Sequence, residues 1–364
     1  MVTHLQRSPL HASHLAHGAR MVPFAAWELP LQFAGIIAEV RAVRSASGLF
    51  DVSHMGRLGV RGPQAAGLLD WALTAPIPSL AVGRARYTLA CSTDGGILDD
   101  AVVYRSGPEE YLLVCNAANR DTVWRWLLRW QTERFGDAAL EDRTLDTAMV
   151  ALQGPQAPAL LERLASGVAG GLTSFGCAQA QVLGWPTVVS RTGYTGEDGF
   201  ELILAAEGAP RLWERLVEMG AAPCGLGARD LLRLEAGLLL HGADMDSAAN
   251  PFEAGLERFV ALDKESAASA ALRRIRQEGV RRKLTGFQMV ERGIPRHGYA
   301  IVHLGAAVGT VTSGGYSPTL DRSVGLGYVP VELAQPGTRF AVDVRGRLVE
   351  AQAVSLPFYS RRRK

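Results

Sequence analysis

Tyr87–Tyr104 reads YTLACSTDGGILDDAVVY. Two apolar runs flank Asp94-Gly95-Gly96, a trio suited to the positive φ of a tight hairpin. The stretch therefore predicts two strands joined by a short turn. Next to it, EYLLVCNAANR (Glu110–Arg120) predicts another strand. Apolar residues at i, i+3 and i+4 mark helices in GPQAAGLLDWALTA (Gly62–Ala75), RDTVWRWLLRWQTERFG (Arg120–Gly136) and APRLWERLVEMG (Ala209–Gly220). Strands, hairpins and helices in this alternation predict an α+β fold with antiparallel sheets. From Ser266 to Lys283 the chain turns Ala- and Arg-rich, which predicts a basic surface helix linking two bodies. Beyond it, KLTGFQMV, YAIVHLGAAVGTVTSG, VGLGYVP and RFAVDVRGRLVEAQAV predict a separate C-terminal β domain, barrel-like or a sandwich.

The bulk composition narrows the function. At about 150 residues per domain, 364 residues allow two or three domains and a large core. A net charge of +2 gives no field that favours nucleic acid or an anionic membrane, so neither is expected as a partner. Four scattered cysteines without a CxxC pair argue against a disulfide framework and a zinc site, and suit a reducing compartment. No apolar run reaches the roughly 18 residues of a membrane span. No signal-peptide pattern stands at the start, and a cytoplasmic location is expected.

Four stretches carry candidate chemistry. In ILDDAVVY, Asp99 and Asp100 head an apolar strand, where acids are disfavoured. They serve either a turn or a site where one carboxylate handles a proton. Successive side chains leave opposite faces, so only one faces such a site. In TGYTGEDGFELIL, three glycines allow close backbone approach, and Glu201 stands inside an apolar run. Glu201 is either solvent-facing on a half-exposed strand or buried with a partner. Arg229 opens GARDLLRLEAG, where Arg233 and Glu235 form either an ion pair on a wet helix face or functional charges. Asp51 and His54 in GLFDVSHMG resemble half a catalytic triad, although helix capping by Asp51 or Ser53 fits better. His11, His14 and His17 recur every third residue without an acid or cysteine beside them, so no metal site is expected.

These pieces, in this order, resemble the aminomethyltransferase family, the T-proteins of glycine cleavage. The similar runs include HLAHGARMVPFAAWELPLQF, GLFDVSHMG, YTLACSTDGGILDDAVVY, VALQGPQA, RTGYTGEDGFELIL, ARDLLRLEAGLLLHGADM, VGTVTSGGYSPTL and LPFYSRRRK, from about Pro9 to the end. The resemblance implies a three-domain cloverleaf ring: residues 1–50 with 140–265 as a discontinuous folate-binding α+β domain, 51–139 as a second, and 280–364 as the β domain. It implies Asp100 as the catalytic carboxylate. It implies Glu201 and Arg229 as pterin anchors, Tyr194 and Tyr87 as folate contacts, and Asn116, Met55, Tyr104 and Phe175 as further lining. A pterin edge offers two parallel donors, which a carboxylate accepts as a pair. A flat ring stacks on tyrosine.

The implied reaction moves the one-carbon unit of an aminomethyl-lipoyl H-protein to tetrahydrofolate. It releases ammonia and forms 5,10-methylenetetrahydrofolate. Tetrahydrofolate is the co-substrate and the lipoylated H-protein the partner; Arg361–Lys364 and the basic 273–283 segment are expected to help dock an acidic H-protein. The alternatives are another folate-dependent methyl or demethylase transferase of the same fold, or a non-catalytic folate-binding module. Three departures from the family pattern stand out. Ala26 replaces the usual Gly, the stretch after Lys264 is shortened, and Tyr359 lacks a secure counterpart.

Overall fold

The computed structural model describes residues 5–361, so the basic tail beyond Arg361 lies outside the described residues. The Asp94-Gly95-Gly96 turn joins the strands Arg84–Cys91 and Ile97–Gly107, which are neighbours in one sheet. Gly95 sits at φ +94°, a region that side chains with a Cβ avoid. The turn closes on itself: the Ser92 amide donates to the Gly96 carbonyl at 2.8 Å.

The chain divides into two compact units, Met1–Ala90 with Asp99–Gly193 and Glu197–Arg229, and Cys91–Leu98 with Tyr194–Gly196 and Asp230–Lys364. The first unit contains two larger sheets. One runs in the order Arg84–Cys91, Ile97–Gly107, Glu110–Cys115, Gly56–Arg61, Ala139–Asp142. The helices Ala65–Ala72 and Arg120–Arg134 belong with it. The second helix buries Val123, Trp126, Leu127 and Trp130, the spacing of one helix face.

The other sheet runs Cys177–Val182, Trp185–Ser190, Gly199–Ala205, Thr147–Gln153, Gly48–Asp51, Ala222–Cys224. Its pairings are antiparallel except the last, where Ala222–Cys224 lies parallel to Gly48–Asp51. The central strand Thr147–Gln153 is buried along its whole length, which explains its near-continuous apolar sequence. Leu160 and Leu161 of the helix Ala157–Leu164 and Leu212, Trp213 and Leu216 of Ala209–Glu218 share one core with Val150, Leu152, Phe200 and Leu202.

In the second unit the β-rich tail closes into a six-stranded barrel, in the order Arg282–Met289, Arg322–Pro330, Ala306–Ser317, Ala300–His303, Arg339–Val344, Arg347–Val354. Closure leaves no free edge. Phe287, Ile301, Val311, Val329, Phe340, Val342 and Val349 fill it. The basic segment contains the helix Ser269–Glu278, which buries Ala271 and Leu272.

The unusual Ala26 has a structural cost. Ala25 and Ala26 form a two-residue loop between the strands Arg20–Phe24 and Trp27–Gln32, with φ of 47° and 65°. Two positive φ values in such a loop belong to the turn that favours Asn-Gly. Each alanine carries roughly 1–2 kcal/mol of left-handed strain, partly offset by its smaller unfolded-state entropy. Replacing the pair by Asn-Gly (Ala25→Asn with Ala26→Gly) is expected to raise the melting temperature by on the order of 2 °C. A lower melting temperature in calorimetry would contradict this strain assignment.

Candidate active site

Asp100 and Asp99 separate as strand alternation requires. Asp99 is fully buried and Asp100 half-buried. The Tyr87 hydroxyl donates to Asp100 Oδ2 at 2.9 Å, and Asn116 Nδ2 donates to Asp100 Oδ1 at 2.7 Å. Asn116 stands where the strand Glu110–Cys115 ends and the chain turns toward the helix Arg120–Arg134. Tyr87, Asp100 and Asn116 thus meet from three successive segments of one sheet. Asp99 hydrogen-bonds at a turn, one of the two readings of the sequence, and the turn is the one that follows Cys115: its carboxyl accepts from Asn116 and Asn119.

Glu201 is 8% exposed on a strand buried almost throughout, so the solvent-facing alternative does not hold. Thr192 Oγ1 donates to its Oε2 at 2.5 Å and the Tyr104 hydroxyl at 3.2 Å. Burial and the Glu201 charge hold the Tyr104 phenol well above its ordinary range, so it stays a donor. Among the described residues, these hydrogen bonds to the carboxylate both fall on Oε2. A carboxylate has about four acceptor positions, so Oε1 keeps capacity for a ligand donor. Thr192 was missed from the sequence, although it opens the Thr-Gly-Tyr-Thr-Gly run. The run's first glycine has a packing reason: a Cβ on Gly193 would lie 2.0 Å from Gln153 Oε1.

Arg229 lies in the first turn of the helix Leu226–Glu235, and its guanidinium acts electrostatically on His54. Burial first, and then Arg229, push the His54 imidazole down to about 3. His54 is therefore neutral at physiological pH. Met55 is half-buried, and its carbonyl accepts from Arg57 Nη1 at 2.5 Å. Arg57 is wholly buried and also binds Thr147 through Nε at 2.7 Å. Phe175 is 38% exposed at φ +58°. A large exposed ring held in the left-handed region is a strained feature of the kind that gathers at functional sites. Tyr194 belongs to the second unit, where its hydroxyl donates to the Leu239 carbonyl.

Asp51 and His54 do not form a triad. Asp51 Oδ2 lies 2.5 Å from Ser8 Oγ and 2.8 Å from His14 Nε2, while its Oδ1 accepts the Ser53 amide at 2.9 Å. These donors overcome the burial penalty and hold the carboxyl down at about 2. Serine and histidine both address the carboxylate, so no hydroxyl is activated by an imidazole. His11 and His17 pair with Glu28 and Glu214, each at 2.8 Å. The three histidines therefore diverge, and among the described residues no group of three potential metal ligands comes together. Arg233 and Glu235 are buried rather than on a wet face. Arg233 Nη1 binds Asp244 at 2.5 Å, and Glu235 accepts from Ser317 at 2.5 Å and Thr319 at 2.9 Å.

Asp100 is a half-buried carboxylate held from both oxygens on one sheet, and Glu201 is a buried carboxylate engaged through Oε2 on the other. Comparison with known proteins gives the class. Residues 10–264 match the GCVT N-terminal domain, and residues 282–360 match the glycine cleavage T-protein C-terminal barrel domain. The aminomethyltransferase of Symbiobacterium thermophilum is 48% identical over 366 residues, covering 98% of this chain and 97% of the relative. That of Rubrobacter xylanophilus is also 48% identical, covering 99% and 95%. A crystal structure of the glycine cleavage system aminomethyltransferase T from Bartonella henselae, 34% identical, superimposes with a TM-score of 0.93 over 98% of this chain and 99% of that one. The chain belongs to the aminomethyltransferase family, the T-proteins of glycine cleavage, and is an enzyme of that class. Among the described residues, no helix is long and apolar enough to cross a membrane.

Proposed function

We propose that the enzyme transfers the one-carbon unit of an aminomethyl group, carried on the lipoyl arm of an H-protein, to tetrahydrofolate. The products are 5,10-methylenetetrahydrofolate, ammonia and dihydrolipoyl H-protein. Two carbon–nitrogen bonds to folate form while the carbon–sulfur bond and the bond to ammonia break. The two protons lost from folate nitrogens leave on ammonia and the dihydrolipoyl thiol. The observation that carries this reading is the Tyr87–Asp100–Asn116 cluster, a half-buried carboxylate oriented from both oxygens. Asp100 accepts and hands on a proton, and its fixed orientation supplies proximity.

The donor set suits a pterin. Glu201 presents a charged acceptor with an oxygen in reserve, and Arg229 supplies planar donors for a carbonyl or carboxylate. Tyr87, Tyr194 and Phe175 offer ring faces; Met55, Asn116 and Tyr104 complete the proposed lining. The corresponding domain division is 1–50 with 140–265, 51–139, and 280–364. Four buried free cysteines suit a reducing compartment, and we assign the enzyme to the cytoplasm. For H-protein docking, Arg273 and Arg282 are already tied to Glu265 and Glu253, which leaves Arg274, Arg276 and Arg281 as the exposed cations of that segment.

The test is production of methylenetetrahydrofolate and ammonia from aminomethyl-loaded H-protein. Free small methyl donors serve as controls. Turnover confined to loaded H-protein is the expected result. Turnover with the free donors alone would replace this reading by a demethylase.

A further inference from the structure

Asp99 has no part in the reaction as described, yet an unpaired carboxyl at a fully buried position is costly. Its surroundings are specific. Asp99 Oδ2 accepts the Asn116 amide at 3.0 Å. Its Oδ1 accepts Asn116 Nδ2 at 2.9 Å and Asn119 Nδ2 at 2.6 Å. The same Asn116 Nδ2 reaches Asp100 Oδ1 at 2.7 Å. That nitrogen has two hydrogens, and its two nearest acceptors are these two carboxyl oxygens, with the Asp100 carbonyl farther off at 3.2 Å. A flipped amide would lose its bond to the Asp100 carboxylate and set its carbonyl oxygen against it.

We propose that Asp99 is a positioning residue for Asp100: braced by Asn119, it locks the Asn116 amide, and that amide fixes the Asp100 carboxylate against Tyr87. The inference rests on the reading of Asp100 as the proton-handling group and deepens it. A residue that only capped the turn at Asn116 would need the backbone bond alone. The side-chain bridge through Nδ2 is what ties Asp99 to its neighbour.

The bridge also links the two acids electrically. Burial and the adjacent Asp100 charge push Asp99 up to about 8, against the lowering effect of the Asn119 and Asn116 hydrogen bonds. The groups facing Asp99 are Asp100 on its own strand, the buried Cys115 thiol on the next, and Asn116 and Asn119 at the turn. The two carboxyls therefore titrate as a coupled pair rather than independently. Loss of the Asn119 donor disfavours the ionised form and moves this titration upward.

Asp99→Asn and Asn119→Ala in the full chain test this, with Asp100→Asn as reference. The first readout is kcat against pH with loaded H-protein and tetrahydrofolate. Wild type is expected to show an inflection near pH 8. Asn119→Ala is expected to move it up. Asp99→Asn is expected to abolish it and to lower kcat on the order of 10-fold, with KM for tetrahydrofolate little changed. The second readout needs no turnover: carbon-13 NMR of labelled aspartate carboxyls. Asp100 should titrate in two steps in wild type and in one step in Asp99→Asn. Identical pH profiles and identical Asp100 titrations in all forms, with only a lower melting temperature, would overturn the proposal. A wild type inert with loaded H-protein removes the reaction assigned above. The NMR titration then decides the Asp99–Asp100 coupling by itself. Should Asp99→Asn fail to fold, Asn119→Ala decides both readouts.

Discussion

Asp100→Asn is expected to lower kcat by at least about 100-fold, while tetrahydrofolate affinity changes much less. The substitution keeps the shape. Its amide oxygen still accepts from Asn116 Nδ2, at the place where Oδ1 now lies at 2.7 Å. Its amide nitrogen takes the place of Oδ2 beside Tyr87, whose hydroxyl can turn to accept. The local frame therefore survives, and what disappears is the charge and the proton acceptor. The proposed pterin anchors, Glu201 and Arg229, stand on other elements, the strand Gly199–Ala205 and the helix Leu226–Glu235. Binding free energy drawn from them is largely retained. Steady-state turnover and calorimetric titration with tetrahydrofolate separate the two effects. Near-normal turnover in Asp100→Asn would remove carboxylate catalysis from the assigned mechanism. Loss of binding in step with turnover would make Asp100 an anchor instead.

Local pattern carried the fold a long way. The hairpin at Gly95, the helices within Gly62–Ala75, Arg120–Gly136 and Ala209–Gly220, and the β-rich tail follow from turn chemistry and from periods of 2 and 3.6 residues. Barrel closure was only one of two readings of that tail. It depends on Arg347–Val354 pairing with Arg282–Met289, a register between segments far apart in sequence. The parallel pairing of Ala222–Cys224 with Gly48–Asp51 was invisible for the same reason.

The site was legible where an acid broke an apolar run, as at Glu201 and the Asp99-Asp100 pair. Partners were not legible. Ser8, His14 and Asp51 meet across some forty residues; Arg233 keeps an intrahelical pair with Asp230 at 2.8 Å but also reaches the buried Asp244, and Glu235 finds Ser317 and Thr319. A charge in a helix pattern looks the same whether it faces water or a distant acceptor. The tertiary fold alone decides. Asn119 illustrates the point, since nothing in EYLLVCNAANR distinguishes its role from that of a turn residue.

The largest loss of tetrahydrofolate binding is expected from Glu201→Gln. Glutamine matches the shape and finds its best orientation at once. Its carbonyl oxygen replaces Oε2, because Thr192 at 2.5 Å and Tyr104 at 3.2 Å both donate there. The amide nitrogen then occupies the Oε1 position, where a donor meets the donors of the pterin edge. A charge-assisted contact is lost and a repulsive one takes its place, at a cost of about 2–4 kcal/mol. That corresponds to a Kd raised roughly 30- to 1000-fold. Stability should fall little, since the internal hydrogen bonds persist and a buried charge is removed. Arg229→Ala should also weaken binding, and its expected side effect differs. Burial remains the first cause of the low His54 pKa, but removal of the Arg229 charge lets it rise from about 3. Calorimetry and thermal melting of both variants, with His54 followed by NMR, give independent readings. Wild-type tetrahydrofolate affinity in both variants would displace the pterin from the proposed Glu201 and Arg229 anchors.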